Sequence, residues 1–376
     1  MAKSVLLTLG RLPKGLDVAR SFARAGWRVV VAEPFAWHLS RVSAAVAKSW
    51  QVTAPNTDRR RYLDDIARIV AAEGVELIVP ISEEAMHVAG LKHALPPGVR
   101  FYGMDQPVLL AAHDKLSFAR QAASYDLAVP LSHRGDEPEA ATLAAARAVV
   151  VKPRFSCSGL GVSMLELGAT LSGRGRTAAC LVQEFVAGEV CSTFSLAHEG
   201  RVQTTVVYRG TVMSGTVAVA FERIEAPAVA AWVETFVRRS GWSGSIAFDV
   251  VVDAAGRVHG IECNPRMTSG VHFLHPDDLA PAIVDPSRTV RFREQPLLQQ
   301  FFPCLTETQG SLFRRGPFRR NLACLLRSRD VTWSRRDPLP LLTMPLTSWQ
   351  ILRQTMFHGR SMGEAATADI GWFAAP

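Results

Sequence analysis

The chain has 376 residues, of which 48% are hydrophobic and 20% are charged, so it is long enough for two or three domains with buried cores. It contains no run of about 18 apolar residues, which excludes a membrane-spanning helix. Its six cysteines are scattered without a C-x-x-C pair, so neither a zinc site nor a disulfide framework is indicated. The formal net charge is +8, and we expect a cytoplasmic protein without a membrane span.

The first 33 residues have the pattern of a β-α-β unit. An apolar segment at 4–9, a helical segment and a second apolar segment ending at Glu33 follow one another, as at the start of a parallel sheet. This pattern favours an N-terminal strand over a signal peptide. The first loop carries Gly10 and Gly15 but lacks the G-x-G-x-x-G spacing, so we favour a substrate-side Rossmann-like domain or a structural unit over an NAD site.

The pattern changes near residue 112, where we place a domain boundary. Just before it, Glu83 and Glu84 follow a buried-strand pattern at 75–81, and they either face a ligand or stabilise a helix N-terminus. From residue 113 to 285, helical and strand patterns predict an α+β domain with antiparallel strands. After residue 286 the chain is rich in Arg, Pro and Leu.

A β-hairpin pattern at 244–264 carries the most informative polar residues. If Asp253 to Gly256 form the turn, Asp249 lies opposite Gly260 and diagonal to Glu262 on the same face. Two neighbouring carboxylates repel each other unless a cation lies between them, and oxygen ligands of this kind suit magnesium. A solvated sheet face is the alternative, and the hairpin alone leaves both interpretations open.

Two of the six lysines stand where phosphate groups could be bound. Lys152 ends an apolar strand pattern and precedes a small-residue loop at 155–161, whose backbone amides could surround a phosphate and whose closure could exclude water. Lys115 starts a helix, where a surface position is the commoner case. Their joint occurrence upstream of the acidic hairpin favours phosphate binding.

The segment "LVQEFVAGEV" predicts a strand that ends beside a nucleotide base. Its backbone could hydrogen-bond a flat adenine edge, with apolar contact from Phe185 and Val186, and Glu189 could bind ribose hydroxyls. By itself the segment also fits any strand that ends before a turn.

The order of these motifs, from Lys115 through Lys152, "QEFVAGE" and Asp249 to "ECNPR", resembles the ATP-grasp superfamily. It is most similar to stand-alone carboxylate–amine ligases with a carbamoyl-phosphate-synthase-like ATP-grasp domain. The resemblance implies a Rossmann-like pre-ATP-grasp domain at 1–112, an α+β ATP-grasp domain with antiparallel sheets at 113–285, and a basic extension at 286–376 that packs on the main body. The sequence departs from the family in a glycine-poor loop, "SCSGLG", and in Cys263 within the signature.

The resemblance also implies roles for individual residues. Lys115 and Lys152 would bind the phosphates of ATP, and Arg266 would stabilise the transferred phosphoryl group or an acyl phosphate. Two Mg²⁺ ions, with Mn²⁺ as an alternative, would be held by the hairpin. The adenosine-binding residues implied are Gln183, Glu184, Phe185, Val186 and Glu189, and the metal ligands are Asp249, Glu262 and Asn264. Ser269 and His272 are candidate substrate contacts.

The function implied is an ATP-dependent ligase that joins a small carboxylate to an amine through an acyl phosphate and releases ADP and phosphate. A phosphotransferase and a nucleotide-binding module without catalysis are the alternatives. We expect small-molecule partners and no nucleic acid, and a homodimer stays open.

The tail at 311–376 contains ten Arg and four acidic residues. We interpret its basic run, "FRRGPFRRNLACLLRSRD", as the solvated face of a packed helix in preference to a nucleic-acid or membrane contact.

Overall fold

The structure is a computed structural model that describes residues 2–157, 159–358 and 362–373. A five-stranded parallel sheet forms its N-terminal part. The strand order is β3-β2-β1-β4-β5, and helices cover the sheet. Buried Val, Ile and Leu side chains from the strands form its core, which confirms the expected Rossmann-like layout. The elements are β1 (Ser4–Leu7), α1 (Pro13–Arg24), β2 (Arg28–Glu33), β3 (Lys48–Gln51), α2 (Arg59–Glu73), β4 (Val75–Val79), α3 (Ala85–Val88) and β5 (Arg100–Phe101).

The loop between β1 and α1 is held by Glu33 at the end of β2. The Glu33 carboxylate accepts hydrogen bonds from the backbone amides of Gly10 and Arg11, both at 2.9 Å, and pairs with the Arg11 guanidinium. Burial raises the pKa of this carboxyl, but the charges of Arg11 and His38 and the hydrogen bonds to Glu33 together outweigh burial, so the pKa lies below its usual value. Glu33 therefore serves as an internal anchor of the loop.

A small four-stranded antiparallel sheet follows, in the order β6-β9-β7-β8. Its Val149 and Val151 pack with Leu143 of a covering helix, and Val182 comes from the neighbouring strand. Side chains alternate between the two faces of these strands, so Lys152 projects from the opposite face. The elements are α4 (Gln106–His113), α5 (Lys115–Ser124), β6 (Ser132–Arg134), α6 (Pro138–Ala146), β7 (Val149–Pro153), β8 (Ser163–Leu165) and β9 (Cys180–Glu184).

A large seven-stranded sheet forms the second half of the fold, in the order β14-β13-β10-β11-β12-β15-β16. Its strands pair antiparallel except for the last two, β15 and β16, which are parallel. The elements are β10 (Glu189–His198), β11 (Arg201–Ser214), β12 (Val217–Arg223), α7 (Pro227–Ser240), β13 (Gly244–Val252), β14 (Val258–Asn264), α8 (Leu279–Val284), β15 (Leu297–Gln299), α9 (Phe301–Gly310), α10 (Arg315–Arg327) and β16 (Arg329–Asp330).

The expected purely antiparallel arrangement is therefore wrong at one edge of the large sheet, which is mixed. The reason is that the C-terminal extension contributes β15 and β16 to this sheet. Helices α9 and α10 connect these two strands, and a connection of this length allows the second strand to return parallel to the first. Four aromatic side chains fix α5 and α7 on the other part of the sheet: Phe118, Trp232, Phe236 and Phe248.

The remainder of the extension returns to the N-terminal sheet. Arg11 forms ion pairs with Asp369 at 2.7 Å as well as with Glu33, and Arg20 of α1 pairs with Asp337 at 2.9 Å. In the described part of the chain, no helix is long and apolar enough to cross a membrane. The last elements are α11 (Leu339–Leu342), α12 (Met344–Thr347), α13 (Trp349–His358) and α14 (Met362–Thr367).

We expect Asp369→Asn to lower the free energy of unfolding by about 1–2 kcal/mol, because it removes a charged acceptor from the buried Arg11 guanidinium. Urea denaturation measures the change. Asp277→Asn is the matched control, since its pair with Arg24 is exposed and its loss should cost no more than about 0.5 kcal/mol. Equal losses in the two variants would contradict an anchoring role for Asp369.

Candidate active site

The hairpin of β13 and β14 places two carboxylates directly opposite each other. Val252 pairs with Val258 and Val250 pairs with Gly260. An irregularity between Asp249 and Val250 then shifts the register, so that Asp249 pairs with Glu262. The predicted register, with Asp249 opposite Gly260, is wrong because the connection is one residue longer and Ile261 is an extra residue in a bulge. The two carboxylates are thus closer neighbours than the sequence prediction made them.

Asp249 is held by hydrogen bonds on both oxygens. The Ser192 hydroxyl donates to Oδ1 at 2.6 Å, and the Asn264 amide donates to Oδ2 at 3.0 Å. Burial, followed by the neighbouring charge of Glu262, raises the pKa of the Asp249 carboxyl to about 6. Such a site is electrostatically costly while empty, and a cation near both carboxylates would remove that cost.

The donor set fits a magnesium ion completed by further ligands. Among the described residues, no three His, Cys, Asp or Glu side chains converge on one point, so a closed protein cage is absent there. Two carboxylates and the Asn264 amide instead resemble the partial oxygen shell that Mg²⁺ uses when substrate phosphates and water supply the rest.

Both lysines predicted to contact phosphate lie beside this acidic pair. Lys115 Nζ is 3.5 Å from the Glu262 carboxylate and donates to the Ser156 carbonyl at 2.9 Å. Lys152 Nζ donates to the Ile261 carbonyl at 3.1 Å. Both side chains are almost fully buried, and burial lowers the pKa of Lys152 to about 8 despite the opposing effect of Glu262. The structure therefore brings two cations and two anions together.

An ion pair that the sequence analysis missed keeps the two lysines side by side. Asp114 caps α5 through the Leu116 amide and pairs with Arg154, two residues after Lys152. The Lys115 amide also donates to the Arg154 carbonyl at 3.2 Å. Arg154 directly follows "VKP", and Asp114 directly precedes Lys115. The positions of Asp114 and Arg154 beside the two lysines in the sequence could therefore have pointed to this ion pair.

The small-residue loop at 155–161 is anchored at its first half. Ser156 accepts from Lys115, and Cys157 Sγ lies 3.4 Å from the Thr367 hydroxyl of α14. Gly159 adopts a positive φ of 69°, and a Cβ there would meet Thr216 at 2.4 Å, so this close approach requires glycine. Ser158 lies outside the described residues. The loop predicted to close the site thus begins from a buried, fixed base.

The strand end predicted to meet adenine has its side chains on alternating faces. Gln183 lies on the Lys152 face and donates to the Ser132 hydroxyl at 3.0 Å, whereas Glu184 pairs with Arg147 on the other face. The amides of Glu184 and Phe185 donate to the carbonyls of Leu131 and Ala148.

Two exposed apolar side chains near this strand end lie on sheet faces that also carry polar groups of the site. Val190 shares the face of Asp249, and Met164 shares the face of Lys152; both were missed by sequence reasoning. Exposed apolar residues at alternating strand positions were the available signal. Glu189 lies at the surface, where it pairs with Arg209 at 2.8 Å.

Arg266 is oriented by the N-terminal domain. Its guanidinium lies 2.5 Å from the Glu83 carboxylate and donates to the Asn264 amide oxygen at 3.0 Å. Burial alone would raise the pKa of Glu83, but the charges of Arg266, His113 and Lys14, with the Arg266 hydrogen bond, together outweigh burial and the pKa is lowered. Lys14, which the sequence analysis passed over, donates to the Met267 carbonyl at 2.8 Å. Glu83 therefore orients the Arg266 side chain, and Lys14 holds the backbone of the next residue.

The other candidate substrate contacts have different surroundings. Glu84 is buried and accepts from the amides of Ile81 and Ser82, so it shapes the end of β4. His272 is 1% exposed and hydrogen-bonds Asp17 at 2.8 Å, which places it in the packed interface with α1. Ser269 is half-buried at the start of a 3-10 turn, Ser269–Phe273.

Comparison with known proteins agrees with the motif order. Residues 112–270 match the family model described as ATP-grasp domain, which confirms the resemblance that the sequence indicated. No curated protein matches the sequence.

Solved structures share the fold at low sequence identity. N5-carboxyaminoimidazole synthetase from Staphylococcus aureus, complexed with ADP, has a TM-score of 0.64 at 15% identity over 84% of this chain and 86% of that chain. The biotin carboxylase domain of the Hydrogenobacter thermophilus 2-oxoglutarate carboxylase, in complex with MgADP and bicarbonate, has a TM-score of 0.60 at 16% identity over 78% and 71%. An L-amino acid ligase from Bacillus licheniformis has a TM-score of 0.58 at 15% identity over 75% and 74%.

Proposed function

Because residues 112–270 match the ATP-grasp domain model, we propose that the protein is an ATP-dependent carboxylate–amine ligase that forms an amide or peptide bond and releases ADP and phosphate. The observation that carries the proposal is the convergence of two buried lysines, two opposed carboxylates and one oriented arginine. The structural neighbours support it, since one is described as an L-amino acid ligase and others as complexes with ADP or MgADP.

In this proposal, Lys115 and Lys152 bind the phosphates of ATP as point charges. Both are buried beside Glu262, so their charges act at short range with little screening by solvent. Among the described residues, the Lys152 ammonium group donates a hydrogen bond only to the neutral Ile261 carbonyl, so a phosphate would supply an anionic hydrogen-bond acceptor. The Asp114–Arg154 pair keeps the two ammonium groups in one orientation.

The adenine ring would lie against the end of β9. The amides of Glu184 and Phe185 already have acceptors, so we assign the Val186 amide to the adenine edge. Gln183 and Phe185 would border the ring, with Val190 and Met164 as apolar walls. Glu189 would bind the ribose hydroxyls after leaving its exposed pair with Arg209, a change that costs little because exposed ion pairs are weak.

Asp249, Glu262 and Asn264 would hold magnesium, with two ions proposed and Mn²⁺ as a substitute. When bound, the metal would offset the negative charge of the ATP phosphates and act as a Lewis acid. Asn264 connects the metal site to Arg266, because its amide group bonds both Asp249 and the guanidinium.

The proposed reaction has two steps. A substrate carboxylate oxygen attacks the γ-phosphorus of ATP, the bond to the ADP oxygen breaks, and an acyl phosphate forms. An amine then attacks the acyl carbon, phosphate leaves, and the nitrogen gives up a proton. Arg266, held by Glu83, would stabilise the charge of the transferred group, and the loop at 155–161 would exclude water. Positioning and charge neutralisation account for the chemistry, with no covalent intermediate on the protein.

We expect purified protein to release ADP from Mg-ATP only when a carboxylate and an amine are both supplied as pooled small molecules. Glu262→Ala should abolish the release while keeping a native circular dichroism spectrum, because it removes one of the two opposed carboxylates. Full activity of Glu262→Ala would refute the metal assignment.

The same assay separates the alternative functions. Release that needs an acceptor but no amine would indicate a phosphotransferase instead. Binding of ATP without release under any pool would favour a nucleotide-binding module.

A further inference from the structure

The helical segment 339–358 has two apolar faces, and the described part of the chain covers only one of them. Hydrogen bonds from residues 343, 347, 348 and 352 to the carbonyls four positions earlier make α11, α12 and α13 nearly continuous. On the inner face, Met344 packs on Leu16 and Leu39, and Ile351 packs on Phe35. This inner face attaches the segment to the N-terminal domain.

The outer face carries a second row of large apolar side chains, which we call the outer stripe. Its members recur at spacings of three, four and seven residues, with Phe357 directly after Met356, and at about 100° per residue they lie on one side of the helical segment, away from Met344 and Ile351. Each of these side chains is at least half exposed, so the described residues of the chain leave the row largely uncovered. The outer stripe consists of Leu339 (52% exposed), Leu342 (66%), Leu346 (72%), Trp349 (53%), Met356 (67%) and Phe357 (72%).

The charged residues within the segment itself have one sign. Between residues 338 and 363 the sequence contains no Asp or Glu. Arg335 and Arg336 are exposed just before the stripe, and Arg353 is exposed within it. Asp337, the nearest acid, is buried and paired with Arg20. The segment therefore combines apolar anchors with positive charge and suits an apolar partner with anionic groups.

A second copy of this chain is a poor occupant. Antiparallel packing of two stripes about a two-fold axis would bring Arg353 of each copy toward Arg335 and Arg336 of the other, without an acid to offset the repulsion. A peptide partner is also disfavoured, because the side chains project from a convex helical face and do not line a groove.

We propose that the outer stripe is a membrane-docking surface, which places the segment 339–358 in the plane of an anionic lipid surface. The apolar side chains would enter the boundary between headgroups and acyl chains, and the three arginines would contact anionic headgroups. Docking would leave the inner face on the N-terminal domain, so the protein binds the membrane as a folded whole. The proposal is independent of the ligase function.

Cosedimentation of the full chain with vesicles tests this inference. The protein should bind vesicles of phosphatidylcholine with phosphatidylglycerol, bind phosphatidylcholine alone more weakly, and lose affinity as salt is raised. Leu346→Ser and Trp349→Ser should each weaken binding about tenfold, since each removes one apolar side chain that docking would bury in the membrane. The double variant Arg335→Gln/Arg336→Gln should weaken binding to the anionic vesicles by about tenfold or more and change binding to neutral ones little. Leu167→Ser is the matched control, because Leu167 is 66% exposed and follows β8 of the small antiparallel sheet.

Three results would overturn the proposal. The first is no binding to the anionic vesicles. The second is equal binding by wild type and the stripe variants. The third is a dimer in solution that Leu346→Ser dissociates, which would assign the stripe to a second copy.

Discussion

Asp249→Asn is expected to lower ADP release at least about a thousandfold, by removing a charged metal ligand, and at the same time to stabilise the unliganded protein. The two effects have one cause. Burial and the opposed Glu262 charge raise the pKa of Asp249 to about 6, so its ionised form is costly in the folded state. A shift of this size corresponds to about 2–3 kcal/mol of lost stability. The neutral amide avoids that cost but cannot replace the carboxylate toward a cation.

The pH dependence distinguishes this explanation from a general packing effect. The folded-state pKa of Asp249 lies above the unfolded value of 3.8, so the folded protein binds more protons between these values and the cost appears as pH rises from about 4 to about 6. The stability gain of Asp249→Asn should therefore be complete at pH 8 and smaller at pH 5. Urea denaturation at both pH values, without nucleotide or metal, measures it.

A matched substitution completes this test. Asp253→Asn alters a half-buried carboxylate at the hairpin turn, outside the proposed metal site. It should leave ADP release unchanged. Loss of stability in Asp249→Asn at pH 8 would contradict the electrostatic account, and retained activity would contradict the metal role.

The residue types of the site could be predicted from sequence, but their register could not. Asp249, Glu262 and Asn264 were identifiable because acidic and amide side chains interrupt apolar strands at alternating positions. The bulge depends on contacts from elsewhere in the chain. The Gly260 amide donates to Ala128, and a Cβ at Gly260 would lie 2.5 Å from the Trp232 ring. The alternation of polar and apolar residues along one strand contains no information about such long-range packing.

The contributions of distant segments were also beyond sequence reasoning. Lys14 reaches the Met267 carbonyl across more than 250 residues, and Asp369 reaches Arg11 across more than 350. The β-α-β pattern gave the N-terminal sheet, because its apolar strands are short and continuous. Nothing in the local pattern of the tail indicated that β15 and β16 would extend the large sheet or that α14 would contact the loop at Cys157.

Lys152→Met is expected to weaken nucleotide binding by about 10- to 100-fold, the value of a charge-assisted hydrogen bond in a buried site. Methionine keeps the length and apolar character of the stem. The lysine ammonium group donates only to the Ile261 carbonyl among the described residues, so the fold should survive its loss. Titration with a fluorescent ADP analogue measures the affinity, and thermal unfolding of the same samples reports the stability.

The pKa of Lys152 supplies a second signature of the same group. Burial lowers its pKa to about 8, below the unfolded value of 10.5, so the charged form is costly in the folded protein below pH 8 and Lys152→Met should not be less stable there. In the wild type, nucleotide affinity should fall as pH rises above about 8, because the ammonium loses its proton, and in Lys152→Met this decline should be smaller. Lys92→Met, which removes a half-buried lysine paired with Asp105, should bind nucleotide as the wild type does. Wild-type affinity in Lys152→Met would move the phosphates away from β7 and leave Lys115 as their remaining lysine contact in this site.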